Sequence, residues 1–83
     1  MPAVLRFGPY MVYIYADDTD RHHLPHCHVR RAGDTAVVEL RQMQVIGGVV
    51  TQRVLTYLRE HRAELVAAWN RFNPQQPIDE EQE

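Results

Sequence analysis

The sequence predicts an α+β domain, in which a small antiparallel sheet of three to five strands precedes two helices packed on one face of the sheet. Three observations support this fold class. The first 46 residues contain short apolar and alternating runs, as strands do, whereas residues 52–72 place apolar side chains three and four positions apart, as helices do. Gly47-Gly48 separates the two patterns and is expected to end the sheet.

The first two predicted strands form a hairpin. Residues 3–7 are apolar, and Gly8-Pro9 is a turn signal. Residues 10–15 are β-branched and aromatic, which predicts the second strand. One face of this strand carries Tyr10, Val12 and Ile14, and the other carries Met11, Tyr13 and Tyr15.

The later strands lie on either side of a tight connection at residues 32–34. Residues 26–31 predict the third strand and residues 35–41 the returning strand. Residues 43–46 add a short strand before the two glycines. In the returning strand, alternation directs Ala36, Val38 and Leu40 toward the core.

The last third of the domain reads as two helices. Thr51 is a suitable N-cap for a helix that begins at Gln52, and residues 62–72 form a second apolar stripe that includes Leu65 and Trp69. Polar residues interrupt the stripe around His61, so we expect two helices that meet at a kink there. Asn73-Pro74 ends the second helix. Residues 1–73 therefore form a single domain, and residues 74–83 an acidic tail with Gln and Pro.

Length and composition limit the class of protein. Eighty-three residues make one small domain with a thin margin of stability, which a homodimer or a bound partner would increase. The chain has no apolar run long enough to cross a membrane and does not start like a signal peptide, so we expect a cytoplasmic protein. The net charge of −2 hides an asymmetry, because residues 1–78 carry nine arginines against seven acids. A pI near 6.2 argues against strong non-specific binding to nucleic acid.

The chemistry is concentrated in residues 21–31, which hold four of the five histidines, the single cysteine and three arginines. If residues 26–31 form a strand, His26, His28 and Arg30 share one face. Cys27, Val29 and Arg31 then share the other face, where Cys27 is expected to be a small buried residue.

Several functions fit this pattern, and the sequence leaves them open. His22, His26 and His28 suit a metal-binding or sensing module for zinc or nickel. Without any cofactor, His26 and His28 could act as general acid and base in phosphodiester cleavage, with Arg30 stabilising charge on the phosphate. A third interpretation is structural: a histidine donates to a backbone carbonyl and fixes the loop of a non-catalytic interaction scaffold.

Other cationic residues are secondary candidates. His22, Arg31 and Arg53, the last at the start of a helix, are predicted to contribute to binding. We expect Arg59 and Arg62 to be solvated or paired with neighbouring acids such as Glu60 and Glu64.

Four segments carry a resemblance to a known family. They are the opening Pro2-Ala3-Val4-Leu5-Arg6-Phe7-Gly8, the strand Val12-Tyr13-Ile14-Tyr15, the segment His22-His23-Leu24-Pro25-His26-Cys27-His28-Val29, and His61-Arg62-Ala63-Glu64-Leu65 up to Trp69. From Pro2 to about Phe72 the chain resembles the small bacterial proteins grouped as domain of unknown function 4160. The family usually has two prolines before the second histidine of the segment, and Leu24 replaces the first of them here.

The resemblance implies an association rather than a reaction. Members look like halves of two-gene modules and have been proposed to belong to toxin–antitoxin pairs. It implies a toxin-like component whose partner is a cognate small protein from an adjacent gene. On that analogy His22, His26 and His28 are the site residues. Our first hypothesis for the function combines this role with binding of RNA through the His/Arg face of His26, His28 and Arg30.

Overall fold

The computed structural model describes residues 3–16 and 24–78, which form a five-stranded antiparallel sheet followed by two helices. The predicted α+β class is therefore confirmed. The elements are β1 (Leu5–Phe7), β2 (Tyr10–Tyr13), β3 (His26–Arg31), β4 (Asp34–Glu39), β5 (Val45–Gly47), α1 (Gln52–Glu60) and α2 (Arg62–Phe72).

The strands lie in the sheet in the order of the sequence, so β3 is the central strand. Val29 of β3 lies opposite Val12 of β2 and Ala36 of β4, which aligns the apolar side chains of three strands. A shift of register at Val37/Val38 interrupts the pairing of β4 with β5. β3 has the predicted bounds, whereas β1, β2 and β4 are somewhat shorter than predicted and β5 begins at Val45 rather than at residue 43.

The end of β4 differs from the prediction because a buried side chain stops the strand. The Glu39 carboxylate accepts hydrogen bonds from the backbone N–H groups of Arg41, Gln42 and Gln44, at 2.8, 3.0 and 3.3 Å. These bonds close the turn at residues 40–44, in which Met43 adopts a φ of 58°. Arg62 makes a contact that the sequence did not predict, since its Nε donates to the Leu40 carbonyl at 2.8 Å and so joins α2 to this turn.

The core lies between the inner face of the sheet and the two helices. Ala36, Val38 and Leu40 are buried as predicted. The buried apolar side chains form one cluster, which contains Val12, Ile14, Cys27, Val29, Ala36, Val38, Leu40, Met43, Val54, Leu58, Leu65, Val66, Ala68, Trp69 and Ile78. Because both helices contribute to this cluster, they cover a single face of the sheet.

The helices begin and end as the sequence predicts. The Thr51 hydroxyl accepts from the Val54 N–H at 3.2 Å, which makes Thr51 the N-cap of α1. His61 separates α1 from α2 with φ −109° and ψ 20°, which confirms the predicted kink, and its ring contacts Glu64. Within the described residues, neither helix has the length and apolar character that a membrane crossing would need.

The segment after α2 packs back on the domain. Trp69 Nε1 donates to the Gln76 carbonyl at 2.7 Å, and the Asn70 side chain bonds both the N–H and the carbonyl of Ile78. Asn73 Nδ2 donates to the Tyr15 carbonyl at 3.0 Å. These contacts join the C-terminal segment to the end of β2.

We predict that Gly48→Ala lowers the free energy of unfolding by about 2 to 4 kcal/mol, measured by equilibrium urea unfolding. Gly48 has a φ of +71°, and an added Cβ would lie 2.6 Å from the Thr35 carbonyl oxygen. Gly8→Ala should cost only about 1 to 2 kcal/mol, because Gly8 has a similar φ of +58° but open space around it. Gly33→Ala is the neutral control, and equal losses for Gly48 and Gly8 would show that the Gly48 turn moves aside.

A second prediction concerns the thiol of Cys27. Burial raises the pKa of Cys27 to about 12, so the folded protein keeps the thiol proton at a pH where the unfolded chain, with a pKa of 9.0, loses it. This contribution is fully present below pH 9.0 and is lost as the pH rises toward about 12. The wild type should therefore lose stability over this range more steeply than Cys27→Ala, measured by urea unfolding at a series of pH values. Parallel pH profiles for the two proteins would contradict the assignment.

Candidate functional site

The central strand β3 presents different chemistry on its two faces. Cys27 and Val29 are buried against the helices, whereas His28 is half-buried and Arg30 is exposed. Because side chains alternate along a strand, the inward direction of Cys27 and Val29 places His28 and Arg30 on the outer face. His26, at the start of the strand, is buried and contacts Trp69 of α2. The predicted separation of Cys27 from the histidines is therefore confirmed.

Side chains from β3 and from the end of β2 form a continuous row on this outer face. The Arg30 guanidinium lies 5.9 Å from the centre of the Tyr13 ring, and the Tyr13 and Tyr15 rings are parallel, 6.0 Å apart. Tyr15 meets His28 edge-on at 4.9 Å, and His28 meets His26 at 5.1 Å. We call these five residues the outer row.

The two histidines of the outer row have different environments. His26 is 1% exposed, and its Nδ1 donates to the Leu24 carbonyl at 2.7 Å. Its ring lies 5.6 Å from that of Trp69 on α2. His26 therefore fixes the start of β3, as the structural interpretation of the sequence expects of a histidine, while His28 retains some exposure.

Two hydrogen bonds fix the backbone beside the outer row. The Asn73 side chain binds the Tyr15 carbonyl, which fixes the backbone just after β2. The Pro25 carbonyl accepts from the Leu40 N–H at 2.8 Å, which fixes the backbone just before β3. The backbone at Tyr15 and the backbone before His26 are thus each fixed by a hydrogen bond to another part of the domain.

The remaining predicted site residues lie elsewhere. His22 lies outside the described residues. Arg31 follows Arg30 but lies on the inner side of the strand end, with its guanidinium 5.6 Å from the Tyr10 ring. Arg53, in the first turn of α1, lies 5.9 Å from the Phe7 ring. The structure therefore brings together His26, His28 and Arg30, and it places Arg31 and Arg53 at a separate location.

Sequence reasoning missed Tyr13 and Tyr15 as site residues. The alternation of β2 already placed both tyrosines on the face opposite Val12. What was missing was the register, since Tyr13 lies directly opposite His28 and this pairing brings the tyrosines beside the histidines.

Of the three predicted metal ligands, His26 and His28 are among the described residues and His22 is not. Over residues 3–16 and 24–78, no group of three or more His, Cys, Asp or Glu side chains is placed to hold a metal ion. His26 and His28 are adjacent, but Cys27 faces the core and is not available as a third ligand. The metal site with His22 stays a prediction.

Comparison with known protein families identifies the family of this chain. A family model described as domain of unknown function (DUF4160) matches residues 10–70, which include the outer row, the core strands and nearly all of both helices. Neither the curated proteins nor the solved structures contain a match to the chain. Since the model spans more than half of the sequence, the chain belongs to the DUF4160 family.

Proposed function

We propose that this protein is the toxin-like component of a two-gene toxin–antitoxin-type module and that its outer row binds single-stranded RNA. The observation that carries the proposal is the row itself, in which one arginine, two tyrosines and a histidine follow each other on the sheet face opposite the core. The cognate small protein of the module would bind the same face, and both partners imply a cytoplasmic protein.

The chemistry of the row matches that of an unpaired nucleotide strand. Aromatic rings on a sheet face stack with exposed bases, whatever the base, and a guanidinium beside them binds phosphate. Tyr13 and Tyr15 are half-buried, so part of each side chain reaches solvent. A base-paired duplex keeps its bases inside and offers nothing for the tyrosines to stack on. The row therefore favours single strands.

The electrostatics indicate modest affinity. Arg30 is the cation of the outer row, and the chain as a whole has a net charge of −2. Because each neutralised phosphate adds a salt-dependent contribution, a site with few cations gains little from counterion release. Most of the binding free energy would therefore come from stacking.

The environments of His26 and His28 favour a role in binding RNA over a role in cleaving it. A mechanism with two histidines as acid and base needs both imidazoles within hydrogen-bonding reach of the scissile phosphate. His26 is almost completely buried and commits its Nδ1 to the Leu24 carbonyl. His28 is the histidine of the pair that a strand on the outer face would contact. Cleavage by His26, His28 and Arg30 stays a prediction, which the RNA experiment also tests.

We predict that Tyr13→Ala and Tyr15→Ala each weaken binding of a mixed-sequence single-stranded RNA decamer by about 1 to 3 kcal/mol, because each removes a stacking surface. Arg30→Gln should weaken binding and reduce the slope of log K against log salt by about 0.7, the value for one lost phosphate contact on a single strand. Fluorescence anisotropy at several salt concentrations measures both effects.

The controls for this experiment lie on the other side of the domain. Tyr10→Ala removes an aromatic ring from the inner face of β2, and Arg59→Gln removes an exposed cation from α1, so both variants should bind like the wild type. Equal losses for Tyr10 and Tyr13, or no saturable binding at low salt, would refute the outer row as the RNA site. Gel analysis of the same samples reports cleavage, which His28→Asn should abolish if the catalytic hypothesis holds.

A metal-binding module is the second candidate, because the His26 and His28 rings lie only 5.1 Å apart. In that case zinc or nickel at a hundredfold excess over Kd should raise the free energy of unfolding of untagged protein by about 2.7 kcal/mol. His28→Ala should remove this gain and His61→Ala, on the helical side, should keep it. An unchanged melting curve on adding either metal would rule the candidate out.

A further inference from the structure

A cleft lies at the end of the domain where α1 begins, on the helical side of the sheet. It has a volume of about 580 Å³ and runs between the β1–β2 turn and the first turn of α1. We call it the Arg53 cleft. Its lining consists of Phe7, Gly8, Pro9, Tyr10, Thr51, Arg53 and Val54. A smaller cavity of about 200 Å³ adjoins it, sharing Tyr10 and Thr51, and reaches Arg31 and the largely exposed Val49.

The charge of this region is positive where it faces solvent. Among residues 3–16 and 24–78, Arg53 lines the cleft and no Asp or Glu does, and the first turn of α1 contains no acidic residue. Asp34 lies at the far cavity, beside Arg31. The ion pair seen among the described residues, His61 with Glu64, lies at the other end of α1. The two guanidiniums are instead held over the rings of Tyr10 and Phe7.

The Phe7 ring of the cleft is stacked more closely than the tyrosine rings of the outer row, which lie 6.0 Å apart. Phe7 is stacked against Tyr57 at 4.3 Å and carries Arg53 over its ring, while Tyr10 lies beside Arg31. A nucleobase would have to displace these neighbours in order to stack. An aliphatic side chain needs no free ring face, because it can pack against ring edges, Pro9 and Val54.

The volume and lining therefore fit a peptide. Apolar walls with a few fixed polar groups and a volume of several hundred Å³ are typical of sites that take up side chains of a ligand. The arginine forks of Arg53 and Arg31 suit carboxylates, which they bind through paired hydrogen bonds.

We propose that the Arg53 cleft is a docking site for an acidic peptide segment of a partner protein. An aliphatic side chain of that segment occupies the cleft between Pro9 and Val54, and the carboxylates beside it bind Arg53 and Arg31. The site is independent of the proposed function, because it uses no residue of the outer row.

The experiment measures binding of a labelled heptapeptide, an isoleucine flanked by acidic residues, to the full chain by fluorescence anisotropy. The wild type should bind the peptide saturably and more weakly at higher salt. Arg53→Gln should reduce the affinity about tenfold, the effect of losing one charge-assisted contact, and Arg59→Gln on the same helix should leave it unchanged. A peptide with Asn and Gln in place of its acids should bind at least tenfold more weakly.

Each other outcome overturns the proposal. Failure to bind the acidic peptide, or equal binding by wild type and Arg53→Gln, would show that the Arg53 cleft is not a peptide-binding site. Displacement of the peptide by the RNA decamer, lost in Arg53→Gln but kept in Tyr13→Ala, would identify the occupant as nucleic acid. Self-association of the wild type that Arg53→Gln abolishes would identify it as a second copy of this chain. Because Tyr13→Ala and Arg53→Gln test different faces, failure here is distinguishable from failure of the RNA proposal.

Discussion

The structure depends on the register of β3. This strand pairs with both β2 and β4, and its register decides which side chains face the core and which face away from it. Val29 pairs with Val12 and Ala36 on the inner face, and this alignment builds the middle of the core. A slip by one residue would direct Arg30 into the core and Val29 to solvent, which costs both the burial of a charge and the exposure of an apolar side chain. The register that fills the core therefore also places His28 and Arg30 beside the tyrosines of β2.

The two ends of β3 differ in their surroundings. Buried, hydrogen-bonded polar side chains surround the end at His26, which we call the closed end, and exposed arginines lie at the other, which we call the open end. At the closed end, His26, Glu39 and Asn73 are buried and hydrogen-bond to the main chain: His26 to the Leu24 carbonyl, Glu39 to the N–H groups of the turn at residues 40–44, and Asn73 to the Tyr15 carbonyl. Buried polar groups that are fully bonded stabilise a single arrangement of the chain, since any other would leave them without partners. At the open end lie Arg30 and Arg31, which contact aromatic faces instead.

Local sequence patterns predicted the elements well because their causes are local. The Thr51 cap, the break at His61 and the alternation around Cys27 depend on residues a few positions apart, and all three are present. The contacts of Glu39 with its turn and of Arg62 with Leu40 were missed, since the first depends on a left-handed Met43 and the second spans 22 residues. The outer row was predicted only in part for the same reason: strand alternation gives the face of each side chain, but only the register gives its neighbours.

The open end of β3 contributes one arginine to each of the two proposed surfaces, the outer row and the Arg53 cleft with its adjoining cavity. Arg30 and Arg31 are consecutive, so alternation directs one toward the outer row and the other toward the Arg53 cleft. Arg30 is held by Tyr13 and Arg31 by Tyr10, and the two tyrosines lie on opposite faces of β2. The two proposed surfaces share no side chain, so a substitution of Tyr13 or of Arg53 changes one of them and leaves the side chains of the other in place. One strand can in this way contribute to both proposed surfaces.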